Sequence, residues 1–219
     1  MAEALRIAIV GAESTGKTEL ARALAARIAA ETGLACTWVG EQLRAWCERE
    51  GRTPRRDEQA AIARAQAEAI DDAAAAHDLV VADTTPLMTA VYSRMIFADD
   101  SLAAAALDYQ RRCDATLLTA LDLPWIADGL QRDGPHVRLP VDSLVRSMLA
   151  ASGLTWSLVA GSGAARLDSA LDAVAPLLRG RTTPRRGLFT RLAERNAEDK
   201  PWRCELCDDP GCEHRLRGG

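Results

Sequence analysis

The chain has 219 residues and a formal net charge of −4, and apolar residues make up 48% of it. That length suits one α/β domain with a short appendage, and the apolar content is too high for a disordered chain. The mild acidity lacks the basic excess of nucleic-acid-binding proteins, and no apolar run approaches the roughly 20 residues of a membrane span. We therefore expect a cytoplasmic protein without nucleic-acid or membrane partners, whose oligomeric state the sequence leaves open.

Short apolar runs alternate with longer helical patterns along the chain. Five runs are predicted strands: Leu5–Val10, Ala35–Val39, Leu79–Ala82, Ala115–Leu121 and Thr155–Ala160. The predicted helices are Lys17–Glu31, Glu41–Glu50, Asp57–His77, Pro86–Phe97, Leu102–Cys113, Val141–Ala151 and Ala164–Leu178. This alternation predicts right-handed βαβ units that form a five-stranded parallel sheet between two helical layers.

A stretch rich in Gly, Pro and Arg, residues 180–187, is the predicted linker between a domain over residues 1–179 and an appendage over residues 188–219. The appendage begins with a basic helix, Leu188–Ala197, and continues as a cysteine-rich tail. Four potential zinc ligands lie in that tail: Cys204, Cys207, Cys212 and His214. Three thiolates and one imidazole suit a closed tetrahedral structural site. The alternative is a disordered tail whose cysteines bind nothing.

The first predicted strand is followed by a phosphate-loop pattern. Its residues are Gly11, Ala12, Glu13, Ser14, Thr15, Gly16, Lys17 and Thr18. The glycines let the backbone fold into a nest of N–H donors, and the following helix adds the positive end of its dipole. Lys17 is expected to bind the β- and γ-phosphates of ATP, and the Thr18 hydroxyl to bind Mg²⁺. The predicted fold class is therefore the three-layer αβα fold of P-loop NTPases.

Asp83 ends the third strand, at the edge of the sheet where ligands bind. Its carboxylate can hold Mg²⁺, directly or through water, or accept a proton; alternatively it caps the next helix. Thr84 stands where many P-loop hydrolases carry Glu. Since the chain also lacks a guanine-specifying motif, a kinase is favoured over a motor ATPase or a GTPase.

A polar loop is predicted over residues 128–139. If it closes over ATP, Arg132 and Arg138 neutralise charge in the transition state while the loop excludes water. The alternative is a solvated surface loop without a role. With the lid, the predicted catalytic residues are Lys17, Asp83, Arg132 and Arg138.

Further short motifs follow the strand ends: Glu41-x-x-Arg44, Asp57-Glu58-Gln59, Val80–Thr85 and Leu123–Leu130. With the phosphate loop, they resemble the nicotinamide riboside kinase domain of bacterial NadR and the small AAA-type ATPases and kinases built on that domain. The resemblance covers roughly residues 5–178. Only ten residues precede Gly11, so we expect the upstream adenylyltransferase domain of NadR to be missing.

The resemblance implies transfer of the ATP γ-phosphate to the 5′-hydroxyl of nicotinamide riboside. The implied substrate-binding residues are Glu41, Arg44, Trp125 and Asp128. Taken without the resemblance, Glu41 and Arg44 form an ordinary ion pair along a helix. Thr85 stands where the family often has Asp, which leaves the acceptor open. The other interpretations are a kinase for another nucleoside or sugar, and a nucleotide-dependent switch that binds a partner protein.

Overall fold

A computed structural model describes residues 3–126, 134–179 and 181. Its strands are β1 Leu5–Val10, β2 Cys36–Val39, β3 Leu79–Asp83, β4 Ala115–Thr119 and β5 Ser157–Val159. Its helices are α1 Lys17–Thr32, α2 Gln42–Glu50, α3 Gln59–Ala76, α4 Pro86–Phe97, α5 Ala103–Gln110, α6 Arg138–Ala151 and α7 Gly163–Leu178. Short 3-10 helices occupy Arg56–Glu58 and Pro135–Val137.

The five strands form one parallel sheet in the order β2-β3-β1-β4-β5. Strand β1 is central and almost completely buried, as its continuous apolar run requires. In the register of the sheet, Ile9 lies beside Asp83 of β3 and Val10 beside Leu118 of β4. The loop that leaves β1 therefore emerges between the carboxyl ends of β3 and β4.

Helices cover both faces of the sheet. On one face α1 contacts α7, and on the other α4 packs against α3, α5 and α6. The second interface contains a buried apolar cluster that includes Leu87, Val91, Leu118 and Val145. Burying a side chain of this size contributes about 1.5–3 kcal/mol. The predicted three-layer αβα architecture with five parallel strands is confirmed.

Helix α6 begins earlier than the sequence suggested. The predicted loop over residues 128–139 should have delayed the helix to Val141, whereas the structure has a 3-10 turn from Pro135 and an α-helix from Arg138. The helix includes Pro140, a residue type that usually breaks helices. It lies in the first helical turn, where its missing N–H costs no intrahelical hydrogen bond.

Several predicted features lie outside the described residues. They are Asp128, Arg132, most of the linker, the basic helix and the four potential zinc ligands, so the zinc site stays a prediction. Within the described ranges, no cluster of three or more His, Cys, Asp and Glu side chains could hold a metal ion. None of the helices described is both long and apolar enough to span a membrane.

Candidate functional site

The phosphate loop makes a tight turn between β1 and α1 that only particular residues allow. Gly11 has φ +144°, and a Cβ there would lie 2.2 Å from the Thr119 hydroxyl oxygen. Gly16, with φ +73°, precedes the first residue of α1, and Ser14 also has a positive φ of 55°. The left-handed conformations curl the backbone around the start of the helix, which is the geometry of an anion-binding nest.

Thr15 is fixed from behind by the body of the protein. Its hydroxyl donates to the Ala12 carbonyl at 2.8 Å and lies 2.7 Å from the Thr119 hydroxyl. Its backbone carbonyl accepts a hydrogen bond of 2.8 Å from Arg166. The Thr15 side chain is fully buried. We conclude that its hydroxyl supports the loop, which leaves only its backbone to contact phosphate.

Arg166 reaches this position from α7. Its guanidinium donates to Asp122 at 2.8 Å and to the Gly161 carbonyl at 2.6 Å, besides Thr15. Burial acts to raise the pKa of Asp122, but hydrogen bonds from Arg166 and from the Gly161 N–H lower it overall. The arginine thus links the phosphate loop to the segments that follow β4 and β5.

Sequence analysis overlooked Arg166, although a signal was present. Apart from Arg166, the buried residues of α7 are all apolar. They begin four positions after it and are Ala170, Leu171, Val174, Ala175 and Leu178. A single arginine on the same face is only 4% exposed. A charged residue in an apolar stripe indicates a specific buried partner, because burying a lone charge is strongly unfavourable.

Lys17 is the buried cation of the site, with 9% exposure. Its ammonium donates to the Ala12 carbonyl at 2.8 Å. Burial lowers the pKa of Lys17, and the carboxylates of Glu41, Asp83 and Glu13 oppose that change. An ammonium that has lost much of its hydration attracts a phosphate more strongly than one in water does.

Thr18 and Asp83 form the candidate magnesium site. The Thr18 hydroxyl donates to one oxygen of Asp83 at 2.5 Å, and the other carboxylate oxygen is buried without a hydrogen-bond partner among the described residues. Mg²⁺ binds hard oxygen donors and commonly takes one or two from protein and the rest from water and phosphate. The pair fits this ion. Asp83 is not the helix cap of the alternative interpretation, since the cap position of α4 is Thr85.

A cavity of about 440 Å³ opens beside Lys17. It lies between α2, the segment that leads into α3, and α4 and α6. Glu13, Lys17 and Glu41 give it a charged end. Its walls are mainly apolar or aromatic, with contributions from Leu43, Tyr92, Met95, Phe97, Val137 and Val141. A volume of this kind, with few polar groups on apolar walls, is typical of small-molecule sites.

The predicted substrate-binding residues separate in the structure. Glu41 lines the cavity, and its carboxylate lies 3.8 Å from Arg44 in an ion pair along the chain. The ion pair agrees with the interpretation made without the resemblance, and the role of the two residues in substrate binding stays a prediction. Among the described residues that line the cavity, Arg44 and Trp125 do not occur. The indole nitrogen of Trp125 is buried without a hydrogen-bond partner in the described part of the chain.

Arg138 is placed at the first residue of α6, not on a free loop. One guanidinium nitrogen donates to the Leu123 carbonyl at 2.8 Å. Its Nε and second terminal nitrogen are buried and bind nothing in the described ranges. Ser14 contacts the same connection after β4, because its hydroxyl oxygen accepts a 2.8 Å hydrogen bond from the Ile126 N–H. The phosphate loop and Arg138 are thus both attached to the segment 123–126.

Ion pairs hold the turn at the outer rim of the cavity. Arg52 binds both oxygens of Glu58, at 2.7 and 2.8 Å, and Glu58 also accepts a hydrogen bond from the Arg55 N–H. The Arg52 side chain, followed by that N–H, lowers the pKa of Glu58 to about 2. Arg56 pairs with Asp99 at 2.8 Å, which connects the rim to the end of α4.

Comparisons with known proteins agree with this architecture. A family model described as an AAA domain matches residues 6–166. Among solved structures, the chain is similar to the NadR protein in complex with NR, with 21% identity and a TM-score of 0.65 over 79% of this chain and 50% of that one. A NadR complex with NAD and AMP-PNP gives 20% identity and a TM-score of 0.62, over 79% and 49%.

The chain spans about half the length of the NadR chains that it matches. No protein with a curated description is significantly similar in sequence. At these identities the structural matches establish the fold alone. The family match establishes more than the fold, because the matched residues 6–166 contain the phosphate loop, Asp83, the cavity walls and Arg166. The chain therefore belongs to the AAA-domain family and is a P-loop nucleotide-binding protein with the fold of NadR.

Proposed function

We propose that the protein is an ATP- and Mg²⁺-dependent phosphotransferase that acts on the 5′-hydroxyl of nicotinamide riboside. One observation carries the proposal: Lys17 belongs to the phosphate loop and also lines the cavity of about 440 Å³. Phosphates held by the loop and a molecule held in the cavity would meet at the same ammonium. Two adjoining sites with a shared cation suit transfer between two substrates, whereas hydrolysis requires only water.

The form of the cavity supports a nucleoside as the acceptor. Its apolar and aromatic walls suit a flat ring, and Glu13 and Glu41 at the charged end offer acceptors for ribose hydroxyls. That end adjoins Lys17, so a ribose bound there would present its 5′-oxygen to the phosphates. A NadR structure holds NR on the same fold, which supports the choice of this riboside.

The residues of the chain contribute mainly position and charge, as phosphoryl transfer requires. The 5′-oxygen would form a bond to the γ-phosphorus and lose its proton, while the bond from that phosphorus to the β-phosphate oxygen breaks and ADP leaves. Lys17 stabilises the charge of the group in transit. Thr18 and Asp83 would hold Mg²⁺, which supplies further charge neutralisation at the phosphates. The apolar walls of the cavity reduce access of water and so limit hydrolysis.

Arg138 has the chemistry to assist this transfer. Two of its nitrogen donors are buried and bind nothing in the described ranges, and the third fixes it to the Leu123 carbonyl. A buried guanidinium with donors to spare suits an anion. We assign Arg138 to the transferring phosphate. Arg132 remains a predicted lid arginine, and Asp128 a predicted substrate-binding residue.

The other acceptors and the partner-binding switch are distinguished by one experiment. Purified protein is incubated with ATP and Mg²⁺ and a panel of nicotinamide riboside, common nucleosides and free ribose, and ADP and monophosphate products are measured. We expect ADP formation to depend on nicotinamide riboside and to equal the mononucleotide formed. ADP formation that is equally fast with and without every acceptor would contradict the proposal and favour an ATPase.

A further inference from the structure

Helix α3 buries two glutamines on one face, Gln59 and Gln66. They are about two helical turns apart, and both are almost inaccessible, with 2% and 1% exposure. The other buried residues of the helix are Ile62, Ala63 and Ile70. Amide side chains are expensive to bury among apolar neighbours unless they are hydrogen-bonded. The partners of each amide therefore indicate what it is for.

Gln66 is satisfied by the protein itself. Its side-chain carbonyl accepts a hydrogen bond of 2.8 Å from the Gln42 N–H. Its amide nitrogen lies 3.4 Å from the Gly40 carbonyl and 3.3 Å from the Thr84 carbonyl. Thr84 needs this support, because it is a β-branched residue with φ +70° directly after the strand that carries Asp83. Gln66 is thus a structural tie between the ends of β2 and β3.

Gln59 differs from Gln66 in its hydrogen bonding and in its location. Its side-chain carbonyl oxygen is buried and accepts no hydrogen bond from any described residue. The residue lies in the wall of the cavity that contains Lys17 and Glu41. An unsatisfied acceptor inside a cavity of ligand size is a group that a bound molecule can satisfy.

We propose that Gln59 determines which acceptor the cavity selects, by accepting a hydrogen bond from an N–H or O–H donor on the ring of that acceptor. The inference rests on the proposed function of the cavity as the acceptor site. If the bound molecule carried a carboxylate on its ring, that carboxylate and the Gln59 carbonyl oxygen would both be hydrogen-bond acceptors and would repel each other. The cavity should therefore prefer a molecule with a ring amide to the one with the matching acid. The arginines of the cavity wall add little attraction for the acid, because solvent screens the charge of the exposed Arg55 and Arg56 is already paired with Asp99.

Thermal unfolding of the ligand-free protein tests the first step. Gln59→Met removes an amide that has an unsatisfied oxygen, so its melting temperature should equal or exceed that of the wild type. Gln66→Met, the matched control on the same helix face, should melt at least about 3 °C lower, because it leaves backbone groups without partners. If both variants lose the same stability, Gln59 has partners inside the protein and the inference is wrong.

Kinetics with two matched ribosides test the selection itself. The wild type should prefer nicotinamide riboside to nicotinic acid riboside by at least about tenfold in kcat/KM. Gln59→Met should remove most of that preference by raising the KM for the amide, with the KM for ATP unchanged. Gln59→Glu keeps a carbonyl-type acceptor and should keep the preference. A preference that is absent in the wild type, or unchanged in Gln59→Met, would overturn the inference while leaving the kinase activity intact.

Measuring the binding of the two ribosides tests the role of Gln59 independently of the proposed reaction. If the wild type phosphorylates neither riboside, the proposed reaction fails, and calorimetric titration of both ribosides in the presence of a non-hydrolysable ATP analogue then decides the role of Gln59. Tighter binding of the amide by the wild type, lost in Gln59→Met, supports the inference for a binding site. Equal affinity for both ribosides, or no binding of either, overturns it.

Discussion

The two sides of the phosphate loop differ in how their buried polar groups are satisfied. Behind the loop, Thr15, Thr119, Asp122 and Arg166 form a rear network in which each residue is hydrogen-bonded to another part of the protein. The network joins the loop to β4 and to the start of α7. Each member makes its bonds without any ligand, and within the described residues only the Arg166 Nε of the network lacks a partner, so we infer that the network holds the loop in shape.

On the other side, Lys17, Asp83, Gln59 and Arg138 form the front face. One oxygen of Asp83, the carbonyl oxygen of Gln59 and two nitrogens of Arg138 are buried and bind nothing in the described ranges. Such groups are uncommon in native proteins, because each costs free energy until something satisfies it. The difference is one of degree, because Arg166 Nε behind the loop and Glu31 Oε2 near the end of α1 also lack partners among the described residues. An unsatisfied buried group therefore indicates a ligand only where it also lies at the candidate site.

The largest effect should follow from Lys17→Ala, which removes the cation of the front face. We expect kcat to fall about 10³-fold or more, since the charge on the transferring phosphate loses its direct partner. The melting temperature should not fall, because a buried ammonium is removed together with its desolvation cost. Arg22→Ala, on the exposed side of the same helix, is the control and should keep full activity. Near wild-type turnover in folded Lys17→Ala would exclude the assigned role.

Asp83→Asn should lower kcat about 10²-fold and shift the activity to higher Mg²⁺ concentration. The amide keeps the size of the side chain but loses the negative charge that suits a divalent cation. A magnesium titration of kcat measures the effect, and Asp72→Asn on the exposed face of α3 serves as the control. A titration curve identical to that of the wild type would show that Asp83 does not contribute to metal binding.

Arg138→Ala should reduce kcat about tenfold or more while changing ATP affinity less. The guanidinium would contact the phosphate most strongly as charge develops, so its loss acts on the transition state. Steady-state kinetics and ATP titration separate the two effects. Weaker ATP binding with an unchanged kcat would show instead that Arg138 helps to bind ATP and does not stabilise the transition state.

Arg166→Lys breaks the rear network and should weaken ATP binding by about tenfold. A lysine keeps the charge but cannot reach Asp122, Gly161 and Thr15 together, so the loop loses part of its fixed geometry. Stability should fall by about 1–3 kcal/mol, because buried acceptors lose their donor. Calorimetry and denaturant unfolding measure both quantities. If the stability falls and ATP binding does not, the network supports the fold and not the loop.

The smallest effect should come from the rim of the cavity, at Glu58. Its pKa is lowered from 4.5 to about 2, mainly by Arg52, so its contribution to stability is complete above the higher value and disappears as the pH falls towards the lower one. The difference in melting temperature between the wild type and Glu58→Gln should therefore shrink as acid is added through this range. A difference that is constant with pH would show that the ion pair contributes nothing.

The fold and the phosphate loop could be predicted well from the sequence, because both depend on local patterns. Apolar runs of strand length that alternate with helices specify a parallel α/β sheet, and the glycine spacing of the loop is itself the signal. The start of α6 was predicted wrongly, because the polar composition of residues 128–139 suggested a loop, whereas the helix begins at Arg138 and tolerates Pro140 in its first turn. Arg166 and Gln59 were missed as site residues. The hydrogen-bond partners of Arg166 lie in distant segments of the chain, and the packing of distant segments leaves the Gln59 carbonyl oxygen without a partner among the described residues.

The sequence by itself located the phosphate-loop pattern at Gly11–Thr18 and placed Asp83 at the end of a strand. Those features reside in contiguous residues, whose conformations follow from glycine, strand and helix propensities. Only the tertiary structure decided which groups share the cavity and which amide lacks a partner. Lys17, Gln59 and Val141 line one space because three separate helices converge there. Such convergence is a property of packing, and no local pattern records it.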